Sequence, residues 1–215
     1  MASLDYFFED RKDAGKQLAG ELKKLNFENP VLLALPRGGI VVADEVAEEL
    51  HVPLDVVIAR KIGAPGHSEY GIGAISENEE PTFNSSAISY FNPESPAVRQ
   101  TVEEETNELH RRKQLYRGGQ DLPEMKDKTV IVIDDGLATG VTAVAAAKFL
   151  RTLGPKELVL AVPVGPAIPG REVEESYDRI ICLHSLQDLR GVGLWYNDFT
   201  QVEDEEVLDI LKKYH

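Results

Sequence analysis

The chain carries one cysteine among its 215 residues, so no intramolecular disulfide can form. That residue, Cys182, stands in the apolar run Ile180-Ile181-Cys182-Leu183, where a buried strand position is the expected role. No stretch approaches the roughly 18 uninterrupted apolar residues of a membrane-spanning helix. The opening MASLDYFFEDRKDAGK lacks a basic segment followed by an apolar one. A soluble, cytoplasmic protein with no membrane partner is therefore expected. Basic residues are scarce, 23 Lys and Arg against 37 Asp and Glu, for a net charge of -14. This argues against a nucleic-acid partner. It leaves room for a small anionic ligand, because a distant field is screened over roughly 8 Å while a local cluster of cations and amides is not. Also missing are G-x-x-x-x-G-K-[ST] and a G-x-G-x-x-G after a strand, which counts against a P-loop NTPase and a dinucleotide fold. His51, His110, His184 and His215 show no metal-ligand spacing.

What is present is an alternation of short apolar runs and helical patterns. Ala14, Leu18, Leu22 and Leu25 predict a helix over about 9–25. Val31–Leu35 reads as a buried strand, Pro36-Arg37-Gly38-Gly39 as a tight turn, Ile40–Leu50 as a helix, and Leu54–Ala59 as a second strand ending at Arg60-Lys61. Residues 62–76 read as a loop with a short strand, 78–96 as mobile, and Ala97–Arg117 as a long helix with Arg111-Arg112-Lys113 at a solvated end. Thr129–Ile133, Leu158–Val164 and Arg179–Leu183 are further strands. Val141–Leu153, Arg171–Tyr177 and Glu203–Tyr214 are helices, the first stopped by Gly154-Pro155. The pattern predicts an α/β fold: a mostly parallel twisted sheet with helices on both faces. The expected division is a core over 1–184, with a mobile loop and long helix inserted at about 62–119, and a small C-terminal segment with the final helix over 185–215.

The chemistry concentrates in Val130-Ile131-Val132-Ile133-Asp134-Asp135-Gly136-Leu137-Ala138-Thr139-Gly140-Val141-Thr142. Gly136 and Gly140 let backbone amides approach a ligand. Thr139 and Thr142 add hydroxyls, and the helix start near Val141 adds unpaired N–H groups. Together they suit a phosphate dianion. Asp134 and Asp135 would repel that dianion, so they must face sugar hydroxyls or a cation. Two adjacent aspartates at a buried strand end are costly without a ligand or partner. The strand also resembles the acidic strand ends of P-loop NTPases and response regulators, though the glycine-lysine loop of the former is missing here. Phosphate at one end and hydroxyls or Mg²⁺ at the other describe a phosphorylated ribose.

These residues resemble the phosphoribosyl-pyrophosphate (PRPP) motif of the type I phosphoribosyltransferases. The resemblance implies that Asp134 and Asp135 bind the ribose 2′- and 3′-hydroxyls, and that Ala138, Thr139, Gly140, Val141 and Thr142, with Gly136 beside them, hold the 5′-phosphate. Pro36-Arg37-Gly38-Gly39 is similar to the family's pyrophosphate loop, in which a strained peptide exposes N–H groups; a plain strand-helix connection is the alternative. Arg60-Lys61 resembles the Arg-Lys pair of orotate phosphoribosyltransferases, or is a surface pair. His67 could join them from the loop. Gly193–Asp198 is similar to the hood of the 6-oxopurine enzymes, where Trp195 could stack on a flat acceptor or pack the hood on the last helix.

The departure lies at Ala138, where the 6-oxopurine enzymes carry a catalytic aspartate; adenine-specific members carry alanine. Arg60–Gly66, Tyr116–Gly119 and Trp195–Phe199 are similar to a bacterial and archaeal group of predicted phosphoribosyltransferases whose acceptor is open. The resemblance implies a PRPP-dependent pentosyltransferase of nucleotide metabolism with Arg37, Arg60 and Lys61 as its catalytic cations. It implies Mg²⁺ brought by the substrate, with Asp134 and Asp135 as candidate ligands, a small heterocyclic acceptor, and a homodimer. A non-catalytic PRPP-binding regulator of the same fold is the alternative.

Overall fold

The computed structural model describes residues 6–215; the first five residues of the N-terminal stretch considered above lie outside it. Five strands form a parallel sheet: β1 (Pro30–Ala34), β2 (Leu54–Val56), β6 (Thr129–Ile133), β7 (Glu157–Pro166) and β8 (Arg179–Leu186), in the order β2-β1-β6-β7-β8. Alternation along each central strand divides the core. Leu32, Ala34, Ile131, Ile133, Val159 and Ala161 face one side, together with α1 (Arg11–Leu22) and α2 (Gly38–Leu50). Val31, Leu33, Val130, Val132, Leu158 and Leu160 face the other, with α5 (Val141–Thr152) and α6 (Arg171–Ser176). Burial on both faces explains why these strands read as unbroken β-branched and aliphatic runs. Cys182 is only half-buried, because β8 is the last strand of the sheet. The final helix, α7 (Asp204–Leu211), buries Val207, Ile210 and Leu211 in the first of the two layers, so it packs with the core.

The region after β2 differs from the expectation of one strand over Leu54–Ala59. Val57 still donates to Ala34 O at 3.0 Å. At Ile58 the chain leaves the sheet, because other groups take its backbone: its N–H donates to Glu77 Oε1 at 3.0 Å and its carbonyl accepts from Ser76 Oγ at 2.8 Å. Ala59–Ala64 then forms β3 of a separate antiparallel sheet with β4 (His67–Ser76) and β5 (Thr82–Phe83). The segment expected to be loop and short strand is thus a hairpin, turning at Gly66 with φ +76°. The segment 78–96 is also more ordered than its composition suggests. It contains β5 and the short helix α3 (Ser85–Ile88), anchored where Asn84 N–H donates to Ile72 O at 2.9 Å.

The long helix α4 (Pro96–Arg117) starts one residue before the expected Ala97, with Ser95 accepting from Val98 N–H and Pro96 in the first turn, and stops at Gly118 with φ +60°. Its basic end is only partly solvated: Arg111 is exposed, but Arg112 is not. Arg112 is buried and donates to Glu108 at 2.8 Å, and Arg111 reaches Asp204 of α7 at 2.7 Å. Among the described residues no helix is long and apolar enough to cross a membrane.

Candidate functional site

The register pairs Ala34 of β1 with Ile133 of β6. The turn after β1 and the acidic loop after β6 therefore leave neighbouring strands at the same carboxyl edge, where open α/β sheets bind ligands. Both loops run into helices without a side-chain cap: α2 follows Arg37 and α5 follows Gly140, itself at φ +74°. Uncapped first-turn amides and aligned dipoles give this edge two sites of partial positive charge.

The two loops are pressed together. The Pro36–Arg37 peptide bond is cis. A β-carbon on Gly39 would lie 2.7 Å from Ile133 O and 3.3 Å from Asp134 Oδ1. The Gly39 amide donates back to Leu35 O at 3.1 Å, so this glycine's contribution is close approach rather than a free donor. Gly140 is similarly confined, its missing side chain lying 2.4 Å from Val173 Cγ2. Ala138 and Thr139 are exposed, and Thr139 opens onto a cavity of about 180 Å³ that Asn84, Ser85 and Arg171 also line.

The two carboxylates differ in their surroundings. Asp134 Oδ1 accepts from the Asp135 N–H at 2.9 Å. Burial, and then the charge of Asp135, push its pKa well above the usual carboxylate range. Asp135 Oδ2 accepts from Arg11 Nε at 2.8 Å. Burial raises Asp135 as well, and Arg11 opposes the rise. The Asp135 carbonyl accepts from Tyr196 Oη at 2.6 Å, and burial holds that phenol protonated far above its ordinary range.

Arg37 and Arg60, two of the cations expected at the pyrophosphate end, are paired to acids. Arg37 Nη1 meets Glu203 Oε2 at 3.0 Å and lies 3.9 Å from Asp204 Oδ1. Arg60, on β3 rather than at the end of a parallel strand, meets Glu105 of α4 at 2.8 Å. Lys61 follows it on β3, with its stem beside Gly71. His67 is exposed at the start of β4. Trp195 ends a single 3-10 turn, Val192–Trp195, and stacks on Phe7 at 4.9 Å; Phe7 stacks in turn on His184 at 4.0 Å. One indole face is thus covered by Phe7 of the N-terminal segment, where the packing alternative had the last helix.

Residues 8–196 match the family described as phosphoribosyl transferase domain. The chain belongs to that family. Two Mycobacterium tuberculosis proteins, from strains CDC 1551 and H37Rv, are each named "Putative phosphoribosyl transferase" and are 38% identical over 208 residues, 97% of this chain. The chain spans only 47% of their length. Among solved structures, TT1426 from Thermus thermophilus is 38% identical, with a TM-score of 0.76 over 96% of this chain and 98% of that one. A Neisseria gonorrhoeae hypothetical protein, solved with bound ppGpp, shares the fold at 13% identity and a TM-score of 0.52, covering 97% of this chain and 95% of its own.

The phosphoribosyl transferase domain thus brings together Asp134, Asp135, the Gly136–Thr142 loop and the Arg37–Gly39 turn. Arg60 and Lys61 come from the separate β3–β4 sheet. Sequence reasoning missed Arg11, Tyr196, Glu203 and Asp204. The last two are bland acids at the start of α7. Arg11 carries no local signal, since its partner lies 124 residues away.

Proposed function

We propose that this phosphoribosyl transferase domain moves 5-phosphoribosyl from PRPP to a nitrogen of a nucleobase or similar heterocycle, releasing pyrophosphate. The observation that carries the reading is the convergence of the Asp134–Thr142 loop and the Pro36–Gly39 turn on one sheet edge, each feeding an uncapped helix. In this reading the amides of Ala138–Thr142 hold the 5′-phosphate, with the Thr139 and Thr142 hydroxyls assisting. Asp134 and Asp135 take the ribose hydroxyls. Arg37, Arg60, Lys61 and the Gly38 amide meet pyrophosphate, which must displace or share Glu203 and Glu105.

The C1′–O bond breaks with its electron pair leaving on pyrophosphate. A C1′–N bond forms on the opposite face, and the acceptor gives up a proton. The chain's task is to hold the sugar and stabilise the departing anion; one such contact is typically worth about 3 kcal/mol. Two adjacent carboxylates, Asp135 paired with Arg11 and Asp134 bonded to a backbone amide, suit a hard, oxygen-preferring ion. Among the described residues no group of three His, Cys, Asp or Glu could hold a metal by itself. Asp134 and Asp135 would therefore supply at most two ligands of a Mg²⁺ ion otherwise held by substrate oxygens and water, where it would neutralise charge on the leaving group. The acceptor would enter under the Trp195 segment. The reading extends to a cytoplasmic homodimer acting in nucleotide metabolism, with a division near residue 184 between core and hood.

The test is to incubate the protein with Mg²⁺, PRPP and a panel of bases and follow pyrophosphate. Acceptor-dependent release supports the reading. PRPP binding without release for any acceptor favours the non-catalytic regulator. In calorimetry, Asp135→Asn and Thr139→Ala should each weaken PRPP; normal binding by both would show the site to be misassigned.

A further inference from the structure

We propose that Arg11 is a positioning residue for Asp135, coupling the two ends of the described chain to the ribose end of the site; this rests on reading Asp134–Thr142 as the PRPP loop. Arg11 opens α1, far from the motif, yet its guanidinium is fixed on three sides. Nε donates to Asp135 Oδ2 at 2.8 Å, Nη1 donates to Thr200 O at 2.7 Å, and the plane lies 3.8 Å over the Phe199 ring. The Arg11 side chain is 10% exposed and that of Asp135 17%. A planar fork can satisfy two divergent acceptors while stacking on a ring; an ammonium cannot.

The anchors are themselves held. Asp198 Oδ1 accepts from the Thr200 N–H at 2.9 Å and from its hydroxyl at 2.5 Å, setting the turn that presents Thr200 O. Asn197 and Asp198 N–H groups donate to Phe8 O and Glu9 O, each at 2.8 Å. Residues 7–11 and 195–200 thus form a clasp, and it grips Asp135 twice, by Arg11 at the carboxylate and by Tyr196 at the carbonyl.

The consequence lies in the acidic pair. Arg11 engages one oxygen of Asp135, and the Asp135 amide engages one oxygen of Asp134. The two carboxylates also hydrogen-bond to each other, so by fixing Asp135 Arg11 sets the orientation of the acidic pair that two vicinal hydroxyls would meet. Without Arg11 the Asp135 carboxylate loses the cation that fixes its Oδ2, and the orientation of the pair toward a diol is no longer set.

The experiment compares ribose 5-phosphate with 2-deoxyribose 5-phosphate by calorimetry on wild type, Arg11→Met and Arg11→Lys. Wild type should prefer the ribose form by about tenfold, the worth of one charge-assisted hydrogen bond. Arg11→Met should reduce that ratio to near unity while keeping the affinity for the deoxy sugar, and Arg11→Lys should restore part of it. A merely structural role would lower both affinities together. Thermal unfolding identifies an Arg11→Met protein that does not fold, in which case Arg11→Lys carries the test through the same ratio. An unchanged ratio in a folded variant overturns the role of Arg11 alone. Failure of the wild type to bind either sugar phosphate overturns the PRPP reading, and this inference with it.

Discussion

Gly38 lies so close to Asp135 that a β-carbon on it would fall 1.9 Å from Oδ2 and 2.8 Å from Arg11 Nε. The Pro36–Gly39 turn and the Asp135 carboxylate are therefore one packed unit. Gly38→Ala cannot be relieved by a small shift, because the obstructing carboxylate is itself held by Arg11. The expected outcome is a loss of PRPP affinity of about tenfold to a hundredfold, from displacing Asp135 out of its hydrogen bonds. Calorimetry with PRPP checks it. Gly20→Ala, where the same added atom meets nothing within 4 Å, is the control and should bind normally.

Asp134 should oppose stability in the absence of ligand. Its pKa is raised in the folded state, chiefly by burial and then by Asp135. A raised acid binds protons more tightly when folded, so it costs nothing below the unfolded pKa of about 3.9. The cost grows as pH rises toward the folded value and stays in full above it. Asp134→Asn should thus leave stability nearly unchanged at pH 3. At pH 7 it should stabilise the ligand-free protein by about 1 kcal/mol, or roughly 2–4 °C in Tm. The same variant should bind PRPP poorly. Thermal unfolding at the two pH values checks the sign; a lower Tm at pH 7 would contradict it.

How legible the fold was follows from the range of the contacts. β6 came out of the sequence with its observed bounds, Thr129–Ile133, because a strand buried on both faces needs an unbroken apolar run and its loop needs glycines. The span of α4 was nearly legible, expected from Ala97 and observed from Pro96, with Gly118 ending it. The path from Ile58 into the β3–β4 hairpin was not, because the groups that redirect it, Ser76 and Glu77, lie 18 and 19 residues further on. The site divides in the same way. Asp134 to Thr142 announce themselves by a local pattern. Arg11 and Tyr196 act through hydrogen bonds to Asp135 spanning 124 and 61 residues, with no periodicity to betray them.

The Glu77–Arg117 pair ties the hairpin to the end of α4, and both side chains are almost fully buried, at 1% and 4% exposure. Glu77 also accepts from Ile58 N–H, while Arg117 Nε and Nη1 are buried without a hydrogen-bond partner. Truncating Glu77 would leave that guanidinium uncompensated. Glu77→Ala should therefore destabilise by about 3–5 kcal/mol, whereas the double variant Glu77→Leu with Arg117→Met should recover much of the loss, since two desolvated charges are removed together. Urea unfolding of the three proteins measures this. A double variant no more stable than Glu77→Ala would show that the pair is not the source of the cost.

Glu203 and Asp204 both reach toward Arg37, but they differ in what else depends on them. Glu203 is 59% exposed in its side chain and makes a surface ion pair, which is worth about 0–1 kcal/mol. Asp204 is largely buried and also accepts from Arg111 at 2.7 Å and from the Tyr116 hydroxyl. Glu203→Gln should leave the urea midpoint almost unmoved. It should tighten inorganic pyrophosphate by about twofold to fivefold at low salt, by releasing Arg37 from a competing anion, with the gain fading as salt rises. Asp204→Asn should behave oppositely: about 1–3 kcal/mol less stable, because it weakens charge-assisted bonds that join α4 to α7. Pyrophosphate titrations at two ionic strengths, set beside unfolding curves, separate the two acids. Identical behaviour in both variants would mean that Arg37 is not restrained by Glu203.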